Sequence, residues 1–352
     1  MSGTCGTRSV LPRLRTEAPC EVRSEVRKRS GTPLWWCHAH GVEAPLGVGS
    51  RCPGADTPAL RGSEIIEIDV HDYPGGVAVW GATPPAVSWG PVTVEAGVHL
   101  HARVEVGGPK VIDGSFAVVR VTSQEQTIEI DEASAVAQLI SLAAGQTIVS
   151  LVCPHCDWRH LDRDQFAVDP HRKHLCNRCG RNFWATDLTI SNPLAVINDR
   201  PEFTPTAPTV TATDSIHLER DNYSSIAIWG SNPAIIWTSP MPQAEGIHVH
   251  AWDATGALVI DETYGSVTVD GVNLDPILVR LLMIQRALSD AESRLVSLVC
   301  PLCGTLHVES GAAALQPKNS FICTSCRQPF LSPGRRKVLS NPLLAILRGR
   351  DS

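Results

Sequence analysis

The chain has 352 residues, a formal net charge of −6, 43% hydrophobic residues and only 5% aromatic ones. Its apolar content suffices for ordinary cores, and its stock of Val, Ile, Ala, Gly and Pro suits β-rich domains with many turns. No apolar run approaches the ~18 residues of a membrane span, and the basic start has no apolar stretch behind it, so neither a membrane anchor nor a secretory signal is expected.

Residues 1–62 carry nine basic and five acidic side chains among Ser, Thr and Pro, and are expected to form a largely disordered basic arm. Within it, Trp35-Trp36-Cys37-His38-Ala39-His40 precedes Cys52. Cys37, His40 and Cys52 offer three ligands for a small extra zinc site, with His38, Cys20 or a more distant residue as the fourth.

Residues 63–150 read as a first α+β module. Ile65 to Val70 is strand-like, and Val77–Trp80 with Ala86–Trp89 flank a Gly/Pro-rich turn in the manner of a hairpin. Gly97 to Ala102, Val111 to Asp113 and Ala117 to Val121 supply further strands, and a helix is expected from Asp131 to about Ala144, stopped by Gly145. Residues 151–197 hold two Cys-x-x-Cys pairs and a Ser-Asn-Pro-Leu turn, and the Pro/Thr-rich stretch 198–212 reads as a linker.

The pattern then repeats. Trp80-Gly81 recurs as Trp229-Gly230, His99-Leu-His101 as His248-Val-His250, Val111-Ile-Asp113 as Val259-Ile-Asp261, and Ser191-Asn-Pro-Leu as Ser340-Asn-Pro-Leu. A second module (213–299) and a second cysteine segment (300–348) follow, with Asp275 capping a helix that begins at Pro276. The fold class expected is α+β, a tandem duplication of a β-rich one-helix module whose two copies fold as separate units. The tryptophans read as core anchors or cross-strand pairs, with a recognition role as the alternative. Each module body is acidic while 151–183 and 300–350 are net basic, so nucleic-acid contact would fall to those ends and to the arm.

Cys153/Cys156 with Cys176/Cys179 and Cys300/Cys303 with Cys323/Cys326 each leave nineteen residues between pairs, and the two sets are offset by 147 positions. Two thiolates separated by two residues can grip one ion from a tight turn, and two such turns close a tetrahedral S4 site. The knuckles Cys-Pro-His-Cys, Cys-Asn-Arg-Cys-Gly, Cys-Pro-Leu-Cys-Gly and Cys-Thr-Ser-Cys resemble those of zinc ribbons, a likeness of roughly thirty residues per copy. The resemblance implies two structural zinc ions with no open coordination position. Cysteines used for metal rather than disulfides suit a reducing compartment, so the cytoplasm is the expected location. His160 and His307, four residues past a knuckle, are placed to support the thiolates or to pack on the ribbon, and His171 and His174 read as a basic surface patch.

Residues two apart on a strand share a face. His99/His101 and His248/His250 can therefore converge on an ion, with Asp113 or Asp261 completing a two-His-one-carboxylate set. The gap from second histidine to aspartate is twelve positions in one copy and eleven in the other. Counted along a strand, that difference turns at least one aspartate away. The leading reading is accordingly a non-catalytic zinc protein that engages another protein. The alternatives are a metal-dependent enzyme working at the His-x-His strands and a nucleic-acid binder using the ribbon ends.

Overall fold

The computed structural model describes residues 65–91, 97–124, 126–203, 209–288 and 291–348, and within 1–64 only the backbone of short strands. The expectations placed in that arm, including the Cys37/His40/Cys52 site, lie outside the described side chains. In the first copy the strands are β1 (Ile65–Asp69), β2 (Gly76–Ala82), β3 (Val87–Trp89), β4 (Gly97–Arg103), β5 (Ile112–Phe116), β6 (Val118–Ser123) and β7 (Gln126–Asp131), followed by helix α1 (Glu132–Ala143). The first cysteine segment adds β8 (His171–Leu175) and β9 (Asn182–Ser191). The second copy repeats the order with β10 (Ser215–Leu218), β11 (Ser225–Gly230), β12 (Ile236–Trp237), β13 (Ile247–Trp252), β14 (Leu258–Tyr264), β15 (Ser266–Val269), β16 (Val272–Leu274) and α2 (Pro276–Ala287). Its cysteine segment adds β17 (Ser320–Ile322) and β18 (Pro329–Leu331).

The helices start where their caps dictate. The Asp131 carboxylate accepts from the Ser134 amide and the Ser134 hydroxyl lies against the Asp131 amide, a capping box. Asp275 accepts from the amides of Ile277 and Leu278, with Pro276 at the first helical position. Gly145, at φ +71°, ends the first helix. Each copy also holds a second, smaller sheet, β1 parallel to β6 with β7 antiparallel, and β10 parallel to β15 with β16 antiparallel; in the first copy the short strand Arg15–Thr16 adds to the other edge of β1.

The main sheets depart from the expected hairpins. β2 pairs with β4 and, on its other edge, with β12 of the second copy; β11 pairs with β13 and with β3 of the first copy. The sheets therefore run β5-β4-β2-β12 and β14-β13-β11-β3, each completed by a strand from the other half. A physical reason lies in Pro84-Pro85: consecutive prolines lack N–H donors and hold an extended backbone, so the chain crosses over instead of turning back. The exchanged strands are core elements. Ala86 and Val87 are buried with Ile226, Ile228 and Val249 of the second copy, and Ile235 and Ile236 with Val77, Val79 and Leu100 of the first.

The repeated Ser-Asn-Pro-Leu turns pin the cysteine segments to the helices, as a returning apolar tail requires. Buried Asn192 donates to the Ser134 carbonyl and accepts from the Leu194 amide, while Asn341 donates to the Leu278 carbonyl and accepts from the Leu343 amide. Leu194 and Ile197 then pack into one core, and Leu343 and Leu344 into the other.

Candidate metal centres

The eight ribbon cysteines form two separate clusters. Sγ separations are 3.8 Å for Cys153–Cys179, 3.6 Å for Cys156–Cys176, 3.7 Å for Cys300–Cys326 and 3.6 Å for Cys303–Cys323. A tetrahedron with metal–sulfur bonds of about 2.3 Å has edges of about 3.8 Å, so both clusters fit one ion each. The turns that present them are alike. Asp157, Gly180, Gly304 and Arg327, each just past a knuckle, return an amide to the carbonyl of the first cysteine at 2.9–3.0 Å and adopt φ between 55° and 72°. Glycine meets that requirement at two of the four positions. Burial opposes ionisation of Cys176, but the amides of Cys179 and Arg178 prevail and bring its pKa down to about 6. The Thr305 hydroxyl and amide bring Cys303 down to about 6. Replacing Cys156 with Ser should release one metal equivalent and unfold the first ribbon alone. Metal analysis with ribbon-resolved hydrogen exchange checks this, and simultaneous loss of both ribbon ions would refute it.

The two His-x-His strands carry a second pair of centres. Along β4 the side chains of Val98, Leu100 and Ala102 enter the core while His99 and His101 face the other way, and β13 alternates identically with His248 and His250. Both aspartates join them, contrary to the expectation from the changed gap. Asp113 stands directly across from His101, and Asp261 directly across from His250. Ala102 pairs with Ile112 and Ala251 with Ile260, so the second copy has one residue fewer in the connection, with a register shift after Ala251. The difference is absorbed there, and strand pairing sets the face.

In the first triad, His99 Nε2 and His101 Nε2 are 2.8 Å apart and lie 3.6 and 3.1 Å from Asp113 Oδ1. In the second, His248 Nε2 and His250 Nε2 are 2.9 Å apart and lie 3.5 and 3.2 Å from Asp261 Oδ1. Ligands bound about 2.1 Å from one ion at right-angle or tetrahedral spacing are separated by roughly 3.0–3.4 Å, and both sets, at 2.8–3.6 Å, lie close to that spacing. The far nitrogens are held as ligand histidines usually are: His99 Nδ1 is 3.1 Å from Ser115 Oγ, and His248 Nδ1 is 3.1 Å from Thr263 Oγ1.

The two triads share one cavity of about 730 Å³ lined by His99, His101, His248, His250, Trp80, Trp229, Trp237 and Trp252. Trp80 pairs across the strands with His99 and Trp229 with His248, so these indoles sit on the histidine face and are only partly buried instead of anchoring the core. Between the triads stands Lys110, whose Nζ is 2.6 Å from Asp113 Oδ2 and 2.6 Å from Asp261 Oδ2. Burial pushes His101 down to about 4 and His248 down to about 3, leaving both imidazoles neutral near pH 7. Burial works upward on both aspartates, but the histidine hydrogen bonds and the Lys110 ammonium prevail and hold them well below the usual carboxylate range. Burial opposes the Lys110 charge, and the paired carboxylates outweigh it and raise its pKa. Sequence reading missed Lys110, Ser115 and Thr263. The recurring Asp-x-Ser and Asp-x-Thr, 148 positions apart, carry the signal for the last two.

A fifth group, His160, Asp162 and His174, also lies close enough to surround an ion. Far from a surface patch, His174 is 1% exposed, and His171 Nε2 also approaches Asp162 at 3.3 Å. Here a chemical objection applies. His160 Nδ1 and His174 Nε2 are buried with no partner, so metal on their inner nitrogens would strand an outer N–H on each ring. Without metal, both rings can donate to Asp162, which also accepts from the Ser191 amide. In the second copy Lys318 pairs with Glu309, and Phe321 replaces His174. The shared feature is a neutralised buried carboxylate that ties the ribbon together. His160 packs on Phe183, and His307 on Phe321 and Phe330, each about 5.3–5.4 Å between ring centres. No protein-family model, curated protein or solved structure matches this chain.

Proposed function

We propose that this chain is a metal-dependent enzyme whose reaction centre is the cavity between its two halves, with zinc in the ribbons serving structure alone. The observation that carries this reading is the convergence of both His/His/Asp triads on one tryptophan-walled cavity. Each triad supplies three ligands and leaves positions for water or substrate, whereas each ribbon offers four thiolates and none. An ion held this way acts as a Lewis acid and brings bound water near neutral pKa, which suits hydrolysis. The protein groups divide the work: the histidines and aspartates hold the ions, Ser115 and Thr263 fix two of the rings, Lys110 ties the two carboxylates together, and the indoles restrict water.

Metal analysis of the wild type should give four equivalents from the described residues, two in the ribbons and two in the triads. His101→Ala and His250→Ala should each remove one, and the double variant should keep the ribbon ions but lose metal-dependent hydrolysis of p-nitrophenyl esters. A wild type with two equivalents, or a double variant with full activity, would sink the reading.

A role in binding another macromolecule stands beside it, supported by the first ribbon's surface. Trp184 is 70% exposed opposite Lys173, and the Arg178 guanidinium lies 4.9 Å from the centre of the Trp158 ring. Exposed indoles among cations suit a protein partner first, and single-stranded nucleic acid second. No helix among the described residues is long and apolar enough to cross a membrane.

A further inference from the structure

Lys110 breaks the symmetry of the paired centres. The copies align at 148 positions through Asp113 and Asp261, and that offset places Leu258 where the first copy has Lys110. One ammonium therefore serves both halves, taking Oδ2 of each aspartate while Oδ1 faces the histidines. Around the cavity the carboxylates of Asp113, Asp214 and Asp261 stand against the cations Arg103 and Lys110, an excess of one negative charge. Two divalent ions would reverse that sign and leave the loaded cavity with a clear positive excess. A concave site of that charge favours an anion, and a neutral or cationic substrate would leave it uncompensated.

The walls narrow the choice further. Trp229 Nε1 donates to the Thr83 carbonyl and Trp237 Nε1 to the Met241 carbonyl, at 2.9 and 3.0 Å. With their polar edges engaged, these rings offer flat apolar surface, and Trp80 meets Trp237 edge-on at 5.9 Å between ring centres. The volume of about 730 Å³ suits a small molecule.

We propose that the metal-loaded cavity takes a small aromatic oxyanion, its phosphate or carboxylate group set between the two centres beside Lys110 and its ring against the tryptophans. This rests on the triads holding metal, as proposed above. In it Lys110 binds the substrate anion as a third cation.

Calorimetric titration of protein carrying four metal equivalents with phenyl phosphate, benzoate and inorganic phosphate tests it, with metal content measured on the same samples. Phenyl phosphate or benzoate should bind, and whichever binds more tightly identifies the anionic group. Inorganic phosphate, lacking the ring, should bind about ten-fold more weakly than phenyl phosphate. Lys110→Met should weaken the aromatic anion by at least about ten-fold, and Lys110→Arg, which keeps the charge, should restore most of it. Four bound ions with no heat from any of the three anions would overturn the inference and leave the metal centres standing. So would Lys110→Met binding like the wild type at full metal content. Metal content of only two equivalents would overturn both.

Discussion

Fragments 63–200 and 213–348, produced separately, will each fail to give a stable folded domain, and co-expression will restore a soluble complex. Each main sheet borrows its fourth strand from the other half. Cutting the chain strips β12 from the edge of β2 and β3 from the edge of β11, exposing two unpaired strand edges. It also removes Ile235 and Ile236 from one core and Ala86 and Val87 from the other. Burial of a large aliphatic side chain contributes about 1.5–3 kcal/mol. Losing these contacts, together with the ladder bonds and the α1–α2 packing, removes several kcal/mol from a domain whose whole stability is on the order of 5–15 kcal/mol. Gel filtration and near-ultraviolet circular dichroism of the fragments, alone and together, check this. Two independently folded monomers would refute it.

Gly230→Ala will be among the most damaging single substitutions in the chain. The repeated Trp-Gly pair places tryptophan toward the cavity and glycine on the opposite face, under the helix of the same copy. A Cβ on Gly230 would lie 2.1 Å from Arg280 Cα and 2.5 Å from its amide nitrogen, so the whole of α2 would have to move. A Cβ on Gly81 would meet the Ala135 methyl at 2.9 Å, a milder overlap. Overpacking of a side chain costs about 1–3 kcal/mol, and displacing backbone should exceed that range. Urea unfolding should therefore show Gly81→Ala with a lowered midpoint and Gly230→Ala barely folded. Equal midpoints for both and the wild type would refute the packing argument.

What the sequence made legible follows from how far each signal reaches along the chain. The cysteine clusters were readable because each half-site is one tight turn whose spacing fixes the geometry. The shared face of His99 and His101 was readable because two residues on one strand obey a fixed period. The aspartates were misjudged because that period was carried across a connection, where pairing register and a register shift take over. The strand exchange was hidden because alternation reads the same whether a strand pairs within its own copy or with the other. Only Pro84-Pro85 spoke against a tight hairpin. The link from Lys110 to Asp261 spans 151 positions and leaves no local pattern at all. His174 looked like part of an exposed basic run because Arg172 and Lys173 point outward beside it, while its own side chain turns in to Asp162.

The most direct test of the central claim is anomalous diffraction from crystals of the full chain grown with zinc or manganese. Four sites are predicted: one in each cysteine cluster, one among His99, His101 and Asp113, and one among His248, His250 and Asp261. Anomalous peaks at the cysteines alone, with both histidine triads empty at saturating metal, would contradict it.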